Sequence, residues 1–281
     1  PRLMAAQFVK PFRKNSAIKN DRQDAEAIAT AARQGNMRFI SVKTEDQQAR
    51  LSWHRVREGY KKDALAVMNR IRGLLSEFGI VIGQSAIALR RALADLEAMQ
   101  LPPEFVQLVR LQQRYWEAIA ACQEACDVRI KEHAEQDERC ERIRGLTGVG
   151  PLTADAIVAT LGNASDFKNG RQCAAWMGLT PSQFGTGGKV QLGKISCRGD
   201  SYLRTLLIQG ARSSLQRAKL TPADKATAEQ LWIVQLAARL PFGKVLVAIA
   251  NKHARQMWAM LARNEAYDAE AWLKHPMVQR G

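Results

Sequence analysis

The chain has 281 residues, 46% of them hydrophobic, enough for about two domains with real cores. Its 42 lysines and arginines against 27 acids give a net charge of +15, which points to phosphate backbones as partners. No apolar run approaches the roughly 20 residues of a membrane span, and five cysteines without a CxxC pair or a secretory signal argue against a disulfide scaffold and fit a reducing cytoplasm, so a cytoplasmic protein with nucleic acid as its partner is expected.

In chain order, the first element is a helix expected over 21–35, in IKNDRQDAEAIATAAR. Asp21 before an alanine-rich run suits an N-cap, and Asp24 would then fall at N3, where an acid meets the helix dipole favourably. The same spacing sets two carboxylates on one helix face, where they can share a hard cation such as Mg²⁺ or Mn²⁺. Spacing alone favours the cap, since acids are common in a first helical turn. The sequence begins at Pro1 close to this helix, so an incomplete N-terminus is expected.

Helices are expected next over 48–80, 83–98 and 103–140. In the last, Leu108, Leu111, Tyr115, Ala118, Cys122 and Ala125 alternate steps of three and four, the seam of a coiled coil or helical hairpin. Cys122, Cys126 and His133 lack the spacing and the fourth ligand of a zinc site and read better as seam residues. The charged stretch RIKEHAEQDERCERIR then marks a domain boundary near 140.

The segment IRGLTGVGPLTADAIVATLG has the pattern of a helix-hairpin-helix, in which Gly148 and Gly150 let backbone N–H groups face a phosphate and Thr153 lies in the following helix, 151–161. The bland reading is a helix corner with a glycine cap; the basic charge favours DNA. After a helix over 170–176, FGTGGKVQLGKISCRG carries the turn signals of a small hairpin or ordered loop. Lys189, Lys194, Arg198, Arg204 and Arg212 surround the hydroxyls Ser182, Thr186, Ser196 and Ser201, a composition suited to phosphoryl transfer. GTGGK lacks Walker A spacing, so ATP use is not indicated. Asp200 is an expected N-cap for a helix over 200–218, and helices over 223–238 and 243–265 follow. His253 reads as packed or surface, and the six tryptophans as mostly core.

The ordered set PRLMAAQFVKPFRKNSAIKNDRQDAEAIA, LAVMNRIRGLLSEFGIVI, RIRGLTGVGPLTADAIVATLGNASDFKNGRQCAAWMGLTP and GGKVQLGKISCRGDSYLRTLLIQGAR resembles the DEDD-type insertion-sequence transposases. These are relatives of the Piv DNA invertases and include recombinases guided by a bridge RNA. The resemblance spans nearly the whole chain. It implies a mainly α chain: the C-terminal part of a RuvC-like, RNase H-fold nuclease domain over 1–82, a coiled coil or helical hairpin over 83–140, and a helical transposase domain over 141–281. The family's last two metal-binding acids lie in a Lys-x-Asp-x-x-Asp-Ala motif, matched by Lys19, Asp21, Asp24 and Ala25; the first two acids are expected before Pro1. A nucleophilic serine follows the family's GLTP motif and precedes a glycine. Here Thr186 stands there, ahead of Gly187, and its β-methyl restricts rotamers; Thr186 is the first candidate nucleophile and Ser196 the second.

The expected function is therefore a DNA recombinase of a mobile element, in which a hydroxyl attacks a phosphodiester, divalent metal assists, and a covalent protein–DNA intermediate precedes strand exchange. Exchange calls for a homo-oligomer, a dimer or tetramer, and the resemblance suggests a structured guide RNA. The rivals are a helix-hairpin-helix repair glycosylase, with Asp166 as its acid, and a non-catalytic nucleic-acid scaffold.

Overall fold

A computed structural model describes residues 3–13, 20–37, 39–186 and 189–268. The described chain is mainly helical. It begins with β1 (Leu3–Met4) and α1 (Ala6–Val9), continues through α2 (Asp21–Ala32) and β2 (Phe39–Ile40), and reaches two long helices, α3 (Glu45–Ser76) and α5 (Pro103–Gln136), separated by α4 (Ala86–Ala94). Then come α6 (Glu138–Ile143), α7 (Pro151–Leu161), α8 (Gly170–Trp176), β3 (Pro181–Thr186), β4 (Lys189–Ile195), α9 (Ser201–Leu220), α10 (Ala228–Arg239) and α11 (Phe242–Arg263).

Local chemistry sets the helix boundaries. Thr44 starts α3 with a reciprocal capping box to Gln47, and Thr227 does the same for α10 with Gln230. Pro103 occupies the first turn of α5, where a missing N–H costs nothing. The helix expected over 103–140 breaks at Asp137, which is extended and whose carboxylate accepts the Arg139 N–H to cap α6. Asp200 caps α9 as expected, accepting the N–H groups of Tyr202 and Leu203.

α3 and α5 run antiparallel: Arg57 pairs with Asp127 near one end, and Arg70 donates to Gln112 near the other. Val67, Ile71 and Leu75 of α3, Leu89 and Leu93 of α4, and Val109, Trp116 and Ile119 of α5 form one core, each large side chain contributing about 1.5–3 kcal/mol by burial. The seam expected on α5 is out of phase with this core. Leu108, Leu111, Tyr115, Ala118, Cys122 and Ala125 are exposed, and the stripe that packs inward is Val109, Trp116, Ile119, Cys126, Ile130 and Ala134. The helix carries two apolar stripes, and α3 covers the one that also holds the largest side chain, Trp116.

A second, larger core joins α6 to α11 around Ile143, Leu146, Ile157, Leu203, Leu207, Ile249 and Met257. The two strand pairs are small: β1 pairs antiparallel with β2, and β3 with β4, the latter with an irregularity between Pro181 and Gln183. Among the described residues no helix is long and apolar enough to cross a membrane.

Candidate active site and nucleic-acid surface

The acids of α2 lie on its first turn, but the cap is not the expected one. Asn20 is extended and its side chain accepts the Gln23 N–H at 2.8 Å, which puts Asp21 at the first helical position and Asp24 at the fourth. Asp21 is therefore released from capping; it is exposed and forms no side-chain hydrogen bond or ion pair among the described residues. Asp24 is half-buried, with Arg13 Nε 3.2 Å from its Oδ1. Two hard carboxylate donors one turn apart fit one side of a divalent cation's shell. No cluster of three or more acidic, histidine or cysteine ligands occurs among the described residues. Lys19, the third residue expected here, lies outside them.

The hydroxyl candidates occupy opposite ends of the β3–β4 hairpin. Thr186 stands opposite Lys189 at the tip; its side chain, with Gly187 and Gly188, lies outside what is described. Ser196 follows the base, where its N–H donates to the Thr180 carbonyl at 2.8 Å. It faces a cleft of about 340 Å³ that also takes in Phe8, Lys43, Asp166, Trp176 and Arg198. The cleft lies between the N-terminal segment and the second core, so Ser196 and Arg198 are brought beside residues near the α2 acids in sequence. Asp166 is committed there: it accepts both the N–H and the hydroxyl of Ser41.

The cations grouped together in sequence separate in space. Lys189 and Lys194 are exposed on the hairpin, and Arg198 is exposed at the cleft. Arg204 donates to the Met177 carbonyl at 3.2 Å and so ties α9 to the end of α8, a structural task. Arg212 leaves this group altogether and joins Gly148 and Thr153 in a separate surface groove, with Gln209, Ser213 and Gln216. The turn between α6 and α7 approaches α9 so closely that a Cβ on Gly148, whose φ is +84°, would fall 2.2 Å from the Gly210 carbonyl oxygen. Ser214 fixes the same approach by donating to the Thr147 carbonyl at 2.6 Å. Gly150 has neither constraint: it sits at the N-cap of α7 with a negative φ and open space around it.

The most buried polar cluster was not singled out from sequence. Asp155, in the middle of α7, is fully buried, and Arg50 and His54 of α3 reach it. His54 Nε2 lies 2.8 Å from Asp155 Oδ2 and its Nδ1 lies 2.9 Å from the Tyr202 hydroxyl of α9. With Asp155 ionised, Nε2 is the donor to it, and Nδ1 is left to pair with the Tyr202 hydroxyl. Burial alone would raise the Asp155 pKa, but hydrogen bonds from His54 and Arg50 hold it below the ordinary carboxylate range. Burial likewise opposes ionisation of Asp137, and Arg139 and Arg50 again reverse the balance. Burial pushes the Tyr202 hydroxyl up, so it stays protonated and able to donate. The available signal was that Asp155 is the one charge in the apolar run PLTADAIVATL, where a buried acid requires a cationic partner.

The remaining expectations resolve simply. His253 is buried, with Nε2 3.3 Å from Glu229 Oε1, a packed histidine. Cys122 is exposed and Cys126 buried on α5. Among the described tryptophans only Trp116 is buried; Trp53 is exposed, Trp176, Trp232 and Trp258 are partly buried, and Trp272 lies outside the described residues.

Comparison with known proteins gives matches at both ends of the chain. Residues 3–80 match a DEDD-type IS110 transposase model, and residues 140–228 match the transposase IS116/IS110/IS902 family. A probable family 20 transposase of Pseudomonas aeruginosa is 42% identical over 95% of this chain and 78% of its own length. The transposase of insertion sequence element IS1111A from Coxiella burnetii is 37% identical over 94% of this chain and 72% of its own. That of IS1328 from Yersinia enterocolitica is 35% identical, with 95% and 78% covered.

Proposed function

The chain belongs to the IS116/IS110/IS902 transposase family, enzymes that cut and rejoin DNA, and from that premise we propose that it does so through a covalent hydroxyl–DNA intermediate with divalent metal. The DEDD-type match supports dependence on a divalent metal, and Asp21 and Asp24 are its candidate ligands, with Mg²⁺ or Mn²⁺ as the ion. The observation that carries the reading is that Asn20, not Asp21, caps α2, which leaves Asp21 available. When bound, the ion would polarise the phosphoryl oxygens and neutralise charge on them.

The chain's own part is a transesterification. The hydroxyl oxygen of Thr186, or of Ser196 as second candidate, attacks phosphorus and gives up its proton; the bond to the 3′-oxygen breaks, leaving a 3′-hydroxyl and DNA joined to the side chain through its phosphate. Attack by a different 3′-hydroxyl restores the side chain and joins the new strands. Arg198, beside Ser196, and Lys189, opposite Thr186, would orient the phosphate. Gly148, Gly150, Thr153 and Arg212 would hold the backbone in the manner of a helix-hairpin-helix, with Lys19 and Lys194 adding charge and Arg204 acting only through the fold.

In this proposal the sequence divides at 82 and 140 into a RuvC-like part, a coiled coil or helical hairpin and a transposase domain, with α3 of the first packed against α4 and α5 of the second. The exposed stripe from Leu108 to Ala125 on α5 is the seam for a homo-oligomer, because exchange of two strands needs more than one active site. The net charge of +15 also suits a structured guide RNA; a discrete RNA species recovered with the purified protein supports that part, and heterogeneous or absent nucleic acid counts against it.

The central test is to incubate the protein with end-labelled DNA from its own element and Mg²⁺ or Mn²⁺, then resolve covalent adducts on a denaturing gel. Asp21→Asn or Asp24→Asn should cut adduct formation by about a thousandfold, the rate equivalent of some 4 kcal/mol, while DNA binding persists. Thr186→Ala should abolish the adduct and Ser196→Ala spare it; the reverse result moves the nucleophile to Ser196. Full adduct formation in both aspartate variants would overturn the proposed site.

A further inference from the structure

A groove of about 570 Å³ between α8 and α11 takes no part in the chemistry above. Its walls hold four cations, Arg171, Lys252, Arg255 and Arg263, and no acid. On α11 the positions Lys252, Arg255, Gln256 and Arg263 recur every one to seven residues, so they form one stripe about 16 Å long on a single helix face. Arg171 faces them from α8. The two elements meet without a spacer: a Cβ on Gly170 would lie 3.0 Å from the Arg255 Cα and carbonyl oxygen.

The three guanidinium charges are not spent on the fold. Arg171, Arg255 and Arg263 form no ion pair among the described residues. Burial and the neighbouring Arg255 lower the Lys252 pKa, and Glu229 only partly offsets them, so like charges crowd there. A surface that concentrates guanidinium groups in this way is suited to phosphate oxygens, which they engage by charge and by paired N–H donors.

We propose that the α8–α11 groove binds the phosphate backbone of a nucleic acid, as a second surface sharing no residue with the one at Gly148 and Arg212. It rests on the transposase reading for the class of ligand and goes beyond it in the place of binding.

The test uses the full chain and two probes, a fluorescently labelled duplex DNA and a labelled RNA hairpin, titrated by anisotropy over a salt series. Replacing Arg171, Arg255 and Arg263 together by alanine should make the plot of log affinity against log salt shallower by about two to three, roughly one for each phosphate no longer neutralised. The exposed Arg171→Ala alone should remove about one. Replacing the same three by lysine should retain most of the slope, which separates missing charge from a damaged fold. A change for the hairpin alone assigns the groove to RNA, and a change for the duplex alone to DNA. An unchanged slope for both probes overturns the proposal. DNA cleavage by the same preparations keeps the two ideas apart: binding through the groove without any cutting sinks the transesterification and spares the groove, and cutting with unaltered salt dependence sinks the groove alone.

Discussion

Asp155 and the Asp21/Asp24 pair are the same side chain in opposite surroundings. Asp155 sits in the middle of α7 with no solvent exposure, held from α3 by Arg50 and His54, and it welds the long helices to the second core. Asp21 and Asp24 sit at the start of a helix that buries only Ala27 and Ala31, and among the described residues the one ion pair to either carboxylate comes from Arg13. A carboxylate that completes a buried network has no capacity left for a ligand. One that is left over from capping does, at little cost to the fold when it is replaced.

The sharpest way to break that contrast is Asp155→Ala, which removes the acid that Arg50 and His54 share and leaves Arg50 with Asp137 and His54 with Tyr202. It should destabilise the chain by about 3–5 kcal/mol, read as a lowered urea midpoint, while Asp21→Asn leaves the midpoint where it was. Equal effects of the two would mean that α2 is as deeply built in as α7. Acid should expose the same difference on a smaller scale. The Asp155 pKa is depressed in the fold, so its stabilisation is complete above the ordinary carboxylate pKa near 4 and is lost as pH falls through the folded value. Asp137 acts in the same direction. Urea midpoints should hold from neutral pH down to about 4 and then drop, and Asp155→Asn should flatten that drop; a midpoint that falls mainly above this range would implicate other groups. The smallest effect belongs to Asn20→Ala, which removes the cap and should cost α2 about 1 kcal/mol, with Asn20→Asp restoring it. If Asn20→Ala is silent in the melting of α2 by hydrogen exchange, Asp21 is the cap after all.

Much of the helical layout was legible because caps and breakers are local. Pro103, Pro151, Asn169 and Asp200 begin helices where the sequence suggested, and the glycine-rich stretch forms a two-stranded hairpin. The phase of α5 was not legible, since a helix with apolar residues on two stripes does not say which one its own chain will cover. Nor was Asn20 preferred over Asp21 as the cap, because either side chain suits the position and one residue of offset decides it. The family acids were readable through a motif, whereas Asp155, His54 and Tyr202 come from three helices, more than 45 residues apart in sequence, and only the packing of α3 on α7 and α9 unites them. Arg212 was misgrouped for a related reason: sequence neighbours on α9 point to different faces.

The β3–β4 hairpin has a mechanical side. Nearly every described position on it is exposed, including Phe184 and Leu192, and a two-stranded ribbon without a third strand or a covering helix has little to brace it. From base to tip it reaches about 17 Å, so any bending at its base, where Ser182 donates to the Lys194 carbonyl, is amplified at the tip. A swing of about ten degrees there carries the tip through about 3 Å, roughly half the step between neighbouring phosphates. A hydroxyl at Thr186 is thereby steered by whatever the flanks of the ribbon touch, whereas one at Ser196, next to the base, hardly moves.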